Sequence, residues 1–318
     1  MLSTITNLVR HGKQPPIQVE VMDVNTCLDK MWLQKTINAL FEDGLTNNAL
    51  NLLYEENRKA QVSIKVSNKT IRRINIRDII IQGSVFGCLK CTATMDKLNK
   101  LMLQNQQVLY NYKNDPNIQI GVLGMVDDTL SISECGNKTI AKNAIINSFI
   151  ENQRLTLSED KTVVIHIGSK KKCNTPCPEL KVHENKMKTA KSTKYLGDIV
   201  SEKGGVEENI ENRIKKGWGK VSQILGLLSD TPSGPHRIKL ALKLREALLC
   251  NSLLLNSEAW SDVREAQIEK MEVVDRSLLR SLVDAHSKTP KEFLYLEAGV
   301  LKFRDMVKIR RMIIIMRF

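Results

Sequence analysis

Aromatic residues are scarce: Phe, Tyr and Trp together make up 4% of this 318-residue chain, so its core has to be aliphatic. No apolar run approaches the roughly 20 residues needed to cross a bilayer, which argues against a membrane partner. The first residues, among them Arg10, Lys13, Pro15 and Pro16, lack the apolar centre of a secretory leader. Cysteine is neither dense nor even in number. The seven thiols (Cys27, Cys88, Cys91, Cys135, Cys173, Cys177 and Cys250) form no disulfide framework and point to a reducing, intracellular setting, with nucleus and cytoplasm both open. Cys88-Leu-Lys-Cys91 and Cys173-Asn-Thr-Pro-Cys177, even with His166 and His183 nearby, lack a second pair at structural zinc spacing. Internal repeats and low-complexity tracts are absent as well.

Positive charge is abundant. Forty-eight Lys and Arg against 35 Asp and Glu leave a net charge of +13, which points to a polyanionic partner or a membrane surface. Residues 161–220 carry 14 basic against 7 acidic side chains, a local +7 that is over half of the total. A concentrated basic stripe is what a sequence-independent duplex binder requires.

The chain reads as two regions. Residues 1–16 look like a loose lead-in. From 17 to about 200, strands alternate with helices: helices over 29–57, 88–113 and 138–154, a strand pair within 61–82, then short strands. That mixture predicts an α+β fold, an antiparallel sheet carrying helices on one face. From about Val206 the pattern is helical throughout, with Leu244, Leu248, Leu255 and Ala259 on one face, then Ile268, Met271, Val274, Leu278 and Leu282 on another. Trp260 belongs with these stripes as a core residue. The expected domains are 1–205 and 206–318.

The chemistry concentrates in Gly121-Val-Leu-Gly-Met-Val-Asp-Asp-Thr-Leu-Ser-Ile132. Asp127 and Asp128 interrupt two short apolar strands, as at the tip of a β-hairpin. Adjacent carboxylates there cost folding energy unless solvent or a cation compensates them, although Asp is also an ordinary turn residue. A hundred residues upstream, Asp23 ends the strand pattern of Val19, Val21, Met22 and Val24. Asp29 opens the next amphipathic segment, where an N-cap role explains it. Asp23 has no such explanation. Meeting Asp127 and Asp128, it would complete a compact oxygen-ligand site for two hard cations. Ile79-Ile-Ile-Gln-Gly83 reads as an apolar strand ending at a glycine turn before a long helix.

In this order the segments resemble reverse transcriptases, most closely those of non-LTR retrotransposons. Asp23 to Asp29 is similar to the first catalytic motif, and Gln82-Gly83-Ser84 to the Gln-Gly motif that opens the helix contacting template and nucleotide. Met125-Val-Asp-Asp128 is similar to the aromatic-Ala-Asp-Asp box, Lys161-Thr162 to the Lys-Thr of the next palm strand, and Tyr195-Leu196-Gly197 to the primer-gripping hairpin. The resemblance covers about 17–200. The segments Leu244-Arg-Glu-Ala, Asn256-Ser-Glu-Ala-Trp260, Tyr295-Leu-Glu297 and Arg310-Arg311 look like the helical region beyond the polymerase core.

The resemblance implies a polymerase palm (the antiparallel sheet with helices on one face) followed by an all-helical thumb-like region. It implies RNA-directed DNA polymerase activity on an RNA template and DNA primer, with transfer from a deoxynucleoside triphosphate to the primer 3′-hydroxyl. Asp23, Asp127 and Asp128 would be the catalytic metal ligands for two magnesium ions, with manganese as a substitute, and Lys161 would act on the departing pyrophosphate. Leu28, Gln82 and Gly83 would meet nucleotide and template, and Tyr195, Leu196 and Gly197 the primer. Departures are clear: Leu28 stands where relatives carry Phe or Tyr, Met125 and Val126 replace the aromatic and small residues, and Ser158 replaces Asn. Val85-Phe86-Gly87-Cys88 stands in place of Leu-Ser-Pro. Only 22 residues precede Asp23, and the chain ends on the apolar run Met312-Ile-Ile-Ile-Met316 before Arg317 and Phe318. The expectation is a piece of a longer element without its basic fingers. The alternative to an active polymerase is a nucleic-acid-binding remnant without turnover, and a metal-dependent nuclease finds no motif of its own.

Overall fold

A computed structural model describes the chain apart from residues 1, 59, 68, 76–77, 113–114, 116, 135, 169–177, 183–184, 261–262 and 317–318. Cys135, Cys173, Cys177 and His183 lie outside the described residues. The chain forms two compact units: Gly12–Leu196, and Met1–His11 together with Gly197–Phe318.

Sheet geometry organises the first unit. Its central strand β1 (Ile17–Met22) is buried at every position: Ile17, Val19 and Val21 fill one side of the pleat, and Gln18, Glu20 and Met22 lie buried on the other. Chain order continues with a helical turn, α2 (Cys27–Lys30), then α3 (Leu33–Glu42), α4 (Asn47–Arg58), β2 (Gln61–Val66), β3 (Lys69–Asn75) and α5 (Gly87–Gln104). A 3-10 turn and the short strands β4 (Tyr110–Asn111) and β5 (Gln119–Ile120) precede the hairpin of β6 (Val122–Met125) and β7 (Asp128–Glu134). After α6 (Asn137–Asn152) come β8 (Val163–Ile167), β9 (Lys181–Val182), β10 (Asn185–Lys186), β11 (Lys188–Thr189) and β12 (Ser192–Tyr195). Five strands make the main sheet in the order β11-β8-β1-β7-β6, antiparallel except for the β11–β8 pair at one edge. Met22 and Val164 share a core cluster with Cys91, Met95, Leu98 and Met102 of α5 and Ile146, Phe149 and Ile150 of α6. Helices therefore cover that face of the sheet, as the α+β reading expects.

Local chemistry redraws several elements. The single helix expected over 29–57 is three pieces. Gly44, at φ +93°, ends α3 in a Schellman motif: Leu45 N–H donates to Leu40 O at 3.0 Å and Gly44 N–H to Phe41 O at 2.9 Å. Asp29 lies inside α2 and caps nothing, while Trp32 occupies the α3 N-cap. The helix expected to reach 113 stops at Gln104, where the Asn105 side chain donates to Leu101 O at 2.9 Å and Val108, Leu109 and Tyr110 turn into the core. Ile79 forms an isolated bridge to Trp32 and no strand.

In the second unit, residues 2–10 are not a loose lead-in. They form α1 (Leu2–Arg10), with Ile5 and Val9 buried and Arg10 paired to Glu207 at 2.6 Å. Gly204 (φ +63°) permits this approach, since a Cβ there would sit 2.8 Å from Thr6 O. The strand β13 (Asp198–Ser201) leads into α7 (Glu207–Leu227) and α8 (Pro235–Leu244), then a π-helical stretch over Arg245–Cys250. α9 (Asn251–Leu254), α10 (Glu265–Leu282), α11 (Lys291–Ala298) and α12 (Phe303–Ile315) complete an all-helical unit apart from that strand. The stripe of Ile268, Met271, Val274 and Leu278 is buried as expected, and so is Trp260. The earlier stripe is out of phase: Leu249, Cys250, Leu253 and Leu254 are buried, whereas Leu255 and Ala259 are exposed. The wider turn of the π stretch rotates the apolar face relative to a 3.6-residue count. Gly217 lets α7 pack tightly, because a Cβ would meet Leu253 Cδ2 at 2.8 Å and Val274 Cγ1 at 3.3 Å. Among the described residues, no helix is long and apolar enough to cross a membrane.

Candidate active site

The hairpin puts its acids at a tip. Met125 pairs with Asp128, leaving Val126 and Asp127 as a two-residue turn. Val126 sits at φ +60°, a left-handed conformation that a β-branched side chain adopts at a cost of about 1–3 kcal/mol. Asp127 and Asp128 are both exposed. β1 runs alongside β7 in a register that ends at Met22 opposite Thr129, so Asp23 emerges next to Asp128. Burial lifts the Asp128 carboxyl above its ordinary range, and the negative charges of Asp127 and Asp23 push the same way. Three acids separated by a hundred residues of sequence thus feel one another.

The neighbouring segment fixes Asp23 from behind. Asp23 N–H donates to Thr162 Oγ1 at 3.3 Å, and Ser158 N–H donates to Asp23 O at 2.8 Å. Lys161 Nζ lies 3.4 Å from Asp23 Oδ2, and its side chain is 71% exposed. The Lys161-Thr162 pair therefore divides its work: the buried Thr162 holds the strand end, and Lys161 faces the carboxylate. Tyr195 donates its hydroxyl to Leu123 O at 2.9 Å in the hairpin. Its phenol is pushed up to about 12 by burial and by the Asp128 charge. Leu28 is half-buried and packs against the same core cluster as Val126. Beneath it Cys27 and Cys91 bring their sulfurs to 3.7 Å, and the Cys91 thiol is raised by that hydrogen bond and by burial.

Gln82 and Gly83 are exposed in the turn ahead of α5, where Gly83 has φ +83°. Ser84 Oγ donates to Glu56 at 2.9 Å, and the wholly buried Lys90 pairs with Glu56 at 2.7 Å and donates to Asn57 Oδ1 at 3.0 Å. Lys90 anchors the first turns of α5 to α4; no sequence signal marks it, because a lysine on a helix reads as solvated. Leu196 and Gly197, both at positive φ, follow β12. Gly197 belongs to the helical unit, where Arg213 donates to its carbonyl at 3.4 Å and pairs with Asp198.

Part of the basic stripe is neutralised. Lys186 pairs with Glu179, Lys188 with Asp160, and Arg213 is buried. Lys181, Lys191 and Lys194 are exposed and, among the described residues, have no carboxylate partner.

Hard oxygen donors in mutual repulsion at an exposed tip fit a divalent cation by donor chemistry. Among the described residues no three or more His, Cys, Asp or Glu side chains are grouped so as to hold a metal ion, so Asp23, Asp127 and Asp128 are neighbours at the tip without forming a ligand set. Cys88 is exposed and Cys91 buried against Cys27, which gives no zinc pair.

Residues 6–200, well over half the chain, match the family model described as reverse transcriptase (RNA-dependent DNA polymerase). The chain belongs to the reverse transcriptase family. No curated protein matches it. Solved structures similar to this reverse transcriptase chain include telomerase from Candida albicans with a TWJ fragment of telomeric RNA. That match has 12% identity, covers 98% of this chain and 52% of that one, and has a TM-score of 0.45. Telomerase from Candida tropicalis with a TWJ fragment matches at 13% identity, 93% and 51% coverage, and a TM-score of 0.48. The chain spans about half the length of these telomerase chains.

Proposed function

We propose that this chain carries the palm and the helical region of an RNA-directed DNA polymerase of non-LTR retroelement type. The observation that carries the reading is the adjacency of Asp23 to the Asp127–Asp128 tip, backed by Lys161 and Thr162. Asp23, Asp127 and Asp128 would hold the divalent cations, magnesium or manganese, whose Lewis acidity favours attack of a primer 3′-hydroxyl on an α-phosphate. Lys161 contributes an exposed ammonium beside Asp23, suited to countering charge on departing pyrophosphate. Tyr195 braces the hairpin through Leu123 O, and by the resemblance Tyr195, Leu196 and Gly197 would be the residues that meet the primer. Gln82 and Gly83 offer an exposed turn to template and nucleotide. Positioning and charge neutralisation do nearly all the work in phosphoryl transfer. Extension of a labelled DNA primer on an RNA template, with and without Mg²⁺, tests the reading. Binding without extension would favour the remnant.

Duplex binding is expected to fall steeply with salt. If Lys181, Lys191 and Lys194 each displace one counterion, affinity drops on the order of 40-fold between 50 and 200 mM salt, a log–log slope of about −3. Fluorescence anisotropy measures it, and the double variant K191A/K194A is expected to flatten the slope by about 2. A salt-independent affinity would rule out phosphate contacts as the source of binding.

Leu28 is expected to make nucleotide selection permissive. By resemblance it lies where an aromatic ring blocks a 2′-hydroxyl, and apolar pockets reject an added hydroxyl by only about a hundredfold. Leu28→Phe is expected to raise the deoxy-over-ribo ratio of kcat/KM and leave deoxynucleotide use nearly unchanged. Equal ratios would place selection elsewhere.

A further inference from the structure

The edge strand β6 poses a question of support. β7 is held along its length by β1, but β6 has only β7 beside it in the sheet. Yet β6 leads directly into the turn that carries Asp127. The β6–β7 ladder begins at Val122 opposite Ser131, and one step further back stand Gly121 and Ile132. Ile132 is held by Val19 of β1, but Gly121 lies outside the ladder. Lys142 of α6, wholly buried, donates from Nζ to Ile132 O at 2.7 Å and to Gly121 O at 3.0 Å. One ammonium thus binds both chains of the hairpin where their ladder ends. α5 closes the other side: a Cβ at residue 121 would sit 2.9 Å from Met102 Cβ and 3.1 Å from Asn99 Oδ1, so only glycine lets the strand begin there.

We propose that Lys142 is a positioning residue, a clamp on the root of the β6–β7 hairpin that sets where its tip carries Asp127 and Asp128. The inference rests on the reading of that tip as the metal-binding site. Four residues of β6 separate root from tip, a lever of about 13 Å, so a 10° swing at the root displaces the tip by about 2 Å. A displacement of 1 Å already costs about a hundredfold in rate where reacting groups must be aligned.

Burying an ammonium is expensive, and its surroundings match that cost only in part. Burial draws Lys142 down to about 8, opposed by the attraction of Glu20, with Lys138 adding to the lowering. Glu20 lies on the same face of β1, opposite Ser131, wholly buried and pushed up to about 7 by burial. Its Oε2 accepts from Asn143 Nδ2 at 3.4 Å, while Oε1 has no partner. A core shaped for stability alone would fill this volume with aliphatic side chains, which are as good or better than buried charges. What aliphatic residues cannot supply is donors for a carbonyl on each chain of the hairpin at once.

The test uses the full chain and the double variant Glu20→Gln/Lys142→Met, which removes the clamp without stranding a buried carboxylate; Glu20→Gln alone is the control. Hydrogen exchange is expected to accelerate by about tenfold or more at amides 122–127, with β1 and β8 unchanged. In primer extension, kcat is expected to fall by about a hundredfold while KM for the nucleotide stays within about threefold. Unchanged exchange at 122–127, or equal acceleration across the sheet, would overturn the clamp, the latter by revealing a purely structural role. Should the double variant not fold, Glu20→Gln/Lys142→Gln, which shortens the donor, is read in the same way. If the unaltered chain extends no primer, the polymerase reading fails, and exchange alone still decides the clamp.

Discussion

Asp127→Asn is expected to lower primer extension by about a thousandfold or more and to leave duplex affinity within about threefold. The substitution keeps the shape of the side chain and removes one charge from the hairpin tip. Asp127 is exposed in a turn, so the fold loses at most about 0.5 kcal/mol. Binding is expected to persist, because it draws on lysines distant from the tip in sequence. Losing a charged metal ligand removes several kcal/mol of transition-state stabilisation, which is the basis of the thousandfold figure. Single-turnover extension beside anisotropy on the same duplex separates the two effects. Glu151→Gln, an exposed acid at the end of α6, is the control and is expected to change neither. Extension within about tenfold of the parent would remove Asp127 from the site.

The acids of the candidate site stand out in the sequence because each breaks a local rule. A strand-end Asp23 caps no helix, and two carboxylates at a hairpin tip oppose the apolar pattern around them. Conflicts of that kind mark places where folding preference yields to another demand. The supporting residues break no rule. Thr162 reads as an ordinary strand residue, yet its hydroxyl accepts the Asp23 amide. Lys90 and Lys142 read as solvated helix positions, yet both are wholly buried. Their roles depend on which backbone carbonyls or carboxylates a distant element brings within 3 Å, and no periodicity encodes that.

Fold class was legible for a similar reason. Alternating aliphatic runs between helical segments predict a sheet with helices on one face, and register follows from which side of each strand is apolar. Boundaries were less so. The α3 terminus turns on one glycine at positive φ, the end of α5 on a side-chain hydrogen bond from Asn105, and the stripe after Leu244 on a π turn. α1 carries no such signal, since the groups that its residues meet, Gly204 at Thr6 and Glu207 at Arg10, lie about two hundred positions away.

The helical unit has a comparable hidden dependence, and breaking it is expected to cost about 3–5 kcal/mol. Arg245, the first residue of the π stretch, meets Asp275 of α10 with both partners buried: Nε to Oδ1 and an Nη to Oδ2, each at 2.7 Å. The same guanidinium donates to Leu301 O at 3.3 Å, ahead of α12. Burial works against its charge, but the hydrogen bonds and attraction of Asp275 outweigh it and hold the guanidinium above its usual range. Arg245→Met strands a carboxylate in the core, so the full penalty is expected. The double variant Arg245→Met/Asp275→Leu removes both charges and is expected to recover most of the loss. Urea unfolding followed by far-ultraviolet circular dichroism measures both. Losses that simply add in the double variant would mean the two residues act independently, and that packing rather than the ion pair joins the π stretch to α10.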